Sequence, residues 1–246
     1  MAHLDEVEDS RRRLLIKMLA ASVLAGAGTA ESVQAESIFG SVPEKLPPGK
    51  SIFSLEGWVE VNGKQATLTT LIGPNDTVKT GKQSSAIFVV GGHSMILRSD
   101  SHLVMEAAQQ EEKTNQIIQV LRLITGKILS VSRDTRYTIR TPTATIGIRG
   151  TGIYAEAGTE QTYFCTCYGS TEVSANRDPT SKETVVSQHH DKPLYILGNE
   201  PQGKNIRNAP FVNHTDQELM LIEALVGRTP PFVFPDNNYA APRRRY

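Results

Sequence analysis

Cysteine is nearly absent: only Cys165 and Cys167 occur in 246 residues, so no multi-disulfide framework can hold the chain together. Tryptophan occurs once, aromatic residues make up 6%, and 26 basic side chains balance 26 acidic ones. That neutrality leaves no nucleic-acid footprint, because the one dense basic run beyond the N-terminal segment is Arg243–Arg245, which reads as a solvated tail. Catalytic signatures are also missing. There is no glycine-rich loop with phosphate-binding spacing, no nucleophile elbow and no His-Glu-x-x-His, and the carboxylates are scattered without forming a pair. A non-enzymatic role is therefore expected, with a thiol-redox or metal-dependent periplasmic enzyme as the competing class.

Long hydrophobic runs are lacking too. The uninterrupted apolar stretch Met18–Ala30 has 13 residues, whereas a membrane helix needs about 20. It follows the basic cluster Arg11-Arg12-Arg13, and Val33-Gln34-Ala35 offers a small-residue cleavage site before Glu36. Ser10–Lys17 resembles a twin-arginine export signal, so residues 1–35 are expected to be a signal peptide and the mature protein to be periplasmic or secreted, with no transmembrane span.

What remains reads as short strands. Residues 36–50, punctuated by Pro43, Pro47 and Pro48, should form an extended lead-in. Ser54–Val61 then alternates, and Asn62-Gly63 is a hairpin turn signal. Further strands are expected at 65–71, 76–80, 84–90, 94–98, 102–107, 116–124, 126–133, 136–141, 144–149, 152–157, 161–168, 170–175, 183–187 and 194–197, with a loop at 108–115. With no crossover helices, the expected fold is all-β, covering 51–200. The exception lies in a C-terminal extension, 201–246, where Thr215 and Glu218 can cap a helix over 216–227 that packs on the β core. Gly227, Pro230 and Pro231 end it, and a proline-rich tail follows.

Cys165 and Cys167 stand one residue apart in the strand-like run Thr162–Tyr168, so both thiols should point to one side. Their Cα atoms would lie about 6.5 Å apart, at the far limit of disulfide geometry. A metal fits that spacing more easily, with His189 and His190 as candidate ligands if the chain returns alongside. Adjacent strand residues face opposite ways, so one imidazole is expected to serve; Asp191 and Pro193 suggest a turn that would make it His190, with Asp191 as a partner to a ring nitrogen. Zinc, copper and iron all suit thiolate and imidazole. A disulfide, a redox-active thiol pair and two inert core cysteines remain the alternatives. His93 and His102 are expected at the surface or an edge, and Trp58 as a core or edge anchor, an exposed ring used in carbohydrate or protein recognition being its alternative.

The order of segments from Gly57 to Ser174 resembles the FecR domain family. The resemblance is carried by Ile72–Gly81, by Ser84–Ser94, by Leu123–Ile128 and, most distinctively, by Ile139-Arg-Thr-Pro-Thr-Ala-Thr-Ile-Gly-Ile-Arg-Gly-Thr151. It implies an extracytoplasmic β domain of solenoid-like or roll-like character. Some relatives relay receptor occupancy to a cytoplasmic sigma factor; this chain is expected to resemble the standalone exported members, to contact no sigma factor directly, and to act as a binding or envelope-structural and regulatory module whose partner is an envelope protein or a glycan. Within the last motif, Pro142, Gly147, Arg149, Gly150, Thr151 and Gly152 are expected to serve architecture: glycines for close approach or positive φ, Pro142 for strand start, Arg149 to tie turns together through backbone carbonyls. The rival use of this motif is an anion site built from backbone N–H groups and Arg149.

Overall fold

The computed structural model describes residues 43–107 and 118–232, apart from the side chains of 133–135. The expected signal peptide, the loop at 108–115 and the end of the tail lie outside them. Seven short strands come first: β1 (Ile52–Glu56), β2 (Val59–Val61), β3 (Lys64–Gln65), β4 (Thr77–Thr80), β5 (Ser85–Val90), β6 (His93–Leu97) and β7 (His102–Ala107). Three long ones follow, β8 (Ile118–Arg140), β9 (Ala144–Ala157) and β10 (Gln161–Ala175), then β11 (Asp178–Ser187), β12 (Leu194–Leu197), β13 (Ile206–Asn208) and helix α1 (Asp216–Leu225).

The strands form one mostly antiparallel β system whose longest path runs β13-β12-β10-β9-β8-β7-β4-β2-β3, with β1, β5 and β6 branching from β8, and β11 from β10. Branching is possible because the long strands change partners along their length. Strand β8 pairs with β7 up to Thr125 and with β6 from Ile128 to Ser132; β10 pairs with β12 at Gln161–Phe164 and with β11 at Gly169–Ala175. One sheet thereby folds over on itself as an irregular roll.

Glycine marks these changes of partner, which corrects the expected strand boundaries. Each long strand was expected as two or three pieces, with a glycine opening one piece of β8 and standing in the gaps of β9 and β10, but the strands run on past them. At Gly126, φ is +91°, and an added Cβ would stand 2.1 Å from the Ser101 hydroxyl, which itself accepts the Lys127 N–H at 2.8 Å. At Gly169, φ is +93°, where the β9–β10 register slips. A glycine in a bulge bends and twists a strand without ending its ladder, whereas the sequence pattern alone reads it as a turn. The expected strand at 65–71 stops at Gln65, because Thr67 turns the chain: its N–H meets the Thr70 hydroxyl at 2.9 Å and its carbonyl accepts the Thr70 N–H at 2.9 Å. Asn62 and Gly63 form the expected hairpin, both with positive φ.

One face of the roll buries Phe88, Met95, Leu97, Leu103, Leu121, Ile128, Ile146 and Phe164 in a continuous core. By strand alternation the other face carries Ile96, Leu129, Val131 and Tyr154, all buried as well. Helix α1 packs across β6 and β8 and buries Leu219, Ile222 and Leu225. Its start is a capping box: the Thr215 hydroxyl accepts the Glu218 N–H, and the Glu218 carboxylate accepts the Thr215 N–H at 2.9 Å. Helical geometry ends at Leu225, two residues before the expected boundary, and Gly227 closes it with φ +72°.

Three further expectations need correction. Among the described residues, the partner shown for Arg149 is not a backbone carbonyl but Glu172 of the neighbouring strand, at 3.0 Å, and both side chains are exposed, since their alternation places them outside the roll. Trp58 is half exposed at 47%, because it precedes the two inward positions of β2. His93 is buried at 2%, because β6 is flanked by β5 and β8 and has no free edge. Within the glycine-rich motif, Gly150 has φ +57°, and the Tyr168 ring would lie 2.5 Å from a Cβ at Gly152.

His93 makes the fold acid-sensitive. Among the described residues neither ring nitrogen has a hydrogen-bond partner, and the ring stands edge-on to Tyr137 with centroids 4.9 Å apart. Burial, aided by the positive charge of Arg228, lowers its pKa from 6.5 to about 4. The unfolded chain therefore binds more protons across that window, so the contribution is complete above pH 6.5 and is lost as pH falls toward 4. The loss approaches about 3 kcal/mol. Urea unfolding at pH 7 and pH 4.5 should show a smaller acid loss in His93→Phe than in the parent; equal losses would rule His93 out as the cause.

Candidate functional site

Strand β10 brings the two cysteines in, fully buried, with free thiols. Despite the register slip after Thr166, their sulfurs stay on one side, within 4.8 Å of each other. The chain then leaves along β11 and returns through a turn at 188–191. Asp191 shapes that turn by accepting the Gln188 N–H at 2.7 Å and the Ser187 hydroxyl at 3.3 Å. It is thus a turn residue, its carboxylate taking hydrogen bonds from the backbone of Gln188 and His189 and from Ser187.

His189 and His190 occupy this turn and not a strand. His190 has φ +55°, a backbone conformation that costs a non-glycine residue about 1 kcal/mol. Its N–H donates to the Cys167 carbonyl at 2.9 Å, fixing the turn against β10. The two rings therefore lie on the same side, with centroids 4.8 Å apart, where an extended strand would send them to opposite faces.

Two residues that sequence reasoning missed complete the arrangement, His214 and Asp216, which flank the capping Thr215. His190 Nδ1 lies 3.5 Å from Cys165 Sγ and 3.1 Å from His214 Nε2. Its other nitrogen, Nε2, meets Asp216 Oδ1 at 2.9 Å. His214 Nδ1 donates to the Val212 carbonyl at 2.8 Å, which leaves Nε2 with its lone pair toward the cluster. The ligand atoms of Cys165, Cys167, His190 and His214 all lie within 4.8 Å of one another, and those of His189, His190 and Asp216 form a second such group. Phe211 and Tyr154 pack on the imidazoles from the sides.

The electrostatics follow from this crowding. Burial pushes the Cys165 thiol up, but hydrogen bonds from Cys167, His190 and His214 outweigh it and hold it well below its ordinary value. Burial, together with the hydrogen bond to and the charge on Cys165, pushes Cys167 well above. Burial lowers the His190 ring, yet Asp216 and Cys165 raise its pKa to about 9. Burial raises Asp216, and the two imidazoles bring it below the usual carboxylate range. The depressed Cys165 thiol and the raised His190 ring thus face each other, with His190 Nδ1 set between the Cys165 sulfur and the His214 nitrogen. That is the place a cation would occupy.

Fold and cluster define a class: an all-β roll with one C-terminal helix and a buried cysteine, histidine and aspartate cluster that can hold a metal ion. Residues 76–172 match the FecR protein family, so the roll is a FecR-domain-like fold. Two crystal structures of an anti-sigma-factor candidate from Parabacteroides distasonis ATCC 8503 are similar, with TM-scores of 0.41 and 0.42 and identities of 13% and 14%. Each match covers 54% of this chain and 58% of that one, so the chain spans little more than half of those proteins. No curated protein matches the chain. Among the described residues, no helix is long and apolar enough to cross a membrane.

The free thiols set a direct check. Denaturation without reductant, in the presence of a chelator, should release two titratable thiols per chain. A count of zero would mean that Cys165 and Cys167 are disulfide-linked in the isolated protein.

Proposed function

We propose that this chain is an exported FecR-like module of the cell envelope, periplasmic or secreted, that binds an envelope protein or a glycan and carries a structural metal centre at Cys165, Cys167, His190 and His214. One observation carries the metal reading. Each imidazole is anchored through its far nitrogen, His190 by Asp216 and His214 by the Val212 carbonyl, so that the near nitrogens face the two sulfurs. Ligand histidines are oriented by this kind of outer hydrogen bond.

Two sulfurs and two nitrogens make zinc the first candidate, with copper and iron as the other ions such a set accepts. A tetrahedral zinc site has ligand–ligand edges of about 3.3–3.8 Å, so the pairs at 3.1 and 3.5 Å already fit and the widest need to close by at most about 1 Å. With four protein ligands no coordination position is left for a substrate, which supports a structural role over catalysis. The ion would join β10, the turn after β11 and the segment leading into α1. The export signal, the FecR-like fold and the absence of catalytic motifs in the sequence support the envelope role; the half-exposed Trp58 is the natural place to look for its partner.

One geometric feature favours thiol chemistry as a second reading. Cys165, His190 and Asp216 form a nucleophile, base and orienting carboxylate in series. Complete burial of Cys165 weighs against it, because a substrate has no way to the sulfur.

Elemental analysis of the purified chain should find about one zinc, copper or iron per chain, and Cys165→Ser, Cys167→Ser or His214→Ala should abolish it. Cobalt substitution should give thiolate-to-cobalt charge-transfer absorption. Asp216→Asn should retain the metal with affinity lowered about 10–100-fold. A parent chain that takes up none of the three ions overturns the metal centre, and fast alkylation of Cys165 in that metal-free chain would favour the thiol reading.

A further inference from the structure

The four proposed ligands are sealed. Cys165 and Cys167 are wholly buried, His214 is 2% exposed, and the His190 side chain is 7% exposed. One ligating side chain beside them reaches solvent: His189, whose side chain is 46% exposed. Its Nε2 lies 3.0 Å from both oxygens of Asp216, and Asp216 in turn lies 2.9 Å from His190 Nε2. An unbroken series of ligand atoms thus runs from water through His189 and Asp216 to His190, whose opposite nitrogen faces the sulfurs.

A structural centre does not need this arrangement. Orienting His190 takes Asp216 alone, and a turn with φ +55° would be filled at lower cost by glycine or asparagine. The positive φ at a histidine is what swings its ring to the side of His189 and lets both rings converge on one carboxylate. Phe232, with its ring centroid 4.8 Å from that of His189, limits the directions from which the outer imidazole can be approached.

We propose that His189 and Asp216 form the outer capture point through which the metal ion passes to and from the buried ligands, an inference that rests on the metal centre proposed above. The ion arrives as an aqua cation. His189 and Asp216 replace part of its water shell, and the ion moves inward as His190, Cys165, Cys167 and His214 take over its coordination. The displaced waters, and the protons held by the sulfurs and His190, leave to solvent. In this scheme the four buried ligands set the affinity, while His189 sets the rates in both directions.

The test is the exchange kinetics of zinc with a chromogenic chelator, measured on the purified full chain. His189→Ala should slow both uptake and release by about tenfold while leaving stoichiometry, the cobalt spectrum and the equilibrium affinity nearly unchanged. His189→Cys, which puts a different ligand at the same place, should restore most of the rate in the presence of reductant. Rates in His189→Ala equal to those of the parent overturn the capture point and leave the metal centre standing. An affinity loss in His189→Ala matched by faster release, with unchanged uptake, also overturns it and makes His189 an orienting partner of Asp216. A parent chain that takes up no zinc overturns this inference together with the centre it rests on.

Discussion

The outer face of the long strands has to be covered, and most of the C-terminal architecture answers that constraint. Ile96, Leu129, Val131 and Tyr154 would face water if the chain ended with the sheet. Helix α1 removes that exposure, and a row of charged contacts fixes where it lies. Arg98 reaches Glu218 at 2.8 Å and the Asn213 carbonyl at 2.9 Å, while Glu223, fully buried, accepts from Arg228 at 2.7 Å and from Tyr168. Buried ion pairs add little net stability over apolar packing, but removing one partner costs several kcal/mol, about 3–5, so a slipped helix is penalised. Apolar burial draws the helix onto the sheet, and these pairs select its register.

That register brings the cluster together. His214 and Asp216 flank the helix cap, so a shift of α1 by one turn, about 5.4 Å, would carry both beyond reach of His190. The remaining contacts of the pre-helical segment act the same way: Asn213 reaches Glu156 at 2.6 Å, and the Val212 N–H meets the Tyr163 hydroxyl at 3.2 Å. The cluster is therefore a product of three separate placements, β10 by its ladder, the 188–191 turn by Asp191, and the pre-helical segment by α1.

The sequence made the strands, the hairpin at Asn62-Gly63 and the capped helix legible because each rests on local chemistry: alternation, a positive-φ turn pair, a Thr and a Glu three residues apart. It also placed both sulfurs on one side of β10, where they stay close despite the register slip at Cys167. Strand ends were misread where glycine bends a ladder without breaking it. His93 was misread because burial of β6 depends on β8, some thirty residues further along. The fourth ligand was missed for the same reason. His214 lies far from Cys167 in sequence, and only the docking of α1 makes them neighbours. One signal was present, in that His-Thr-Asp at a helix start puts two metal-binding side chains at a fixed end of a rigid element, but nothing local says which surface that end will meet.

The geometry also constrains what an ion can add. Helix and sheet are joined by apolar burial and by the Arg98 and Glu223 pairs as well as by the cluster, whereas in small metal-folded domains the folding free energy is metal binding. An ion there would take the place of the contacts that His190 makes with Cys165 and His214. Coordination by two thiolates would let Cys167 ionise as well, a state that burial beside Cys165 opposes in the protein alone. The energetic consequence is thus concentrated on the segment 209–216 and the turn at 188–191, the two pieces of backbone that lack a strand or helix of their own and that the cluster ties to β10.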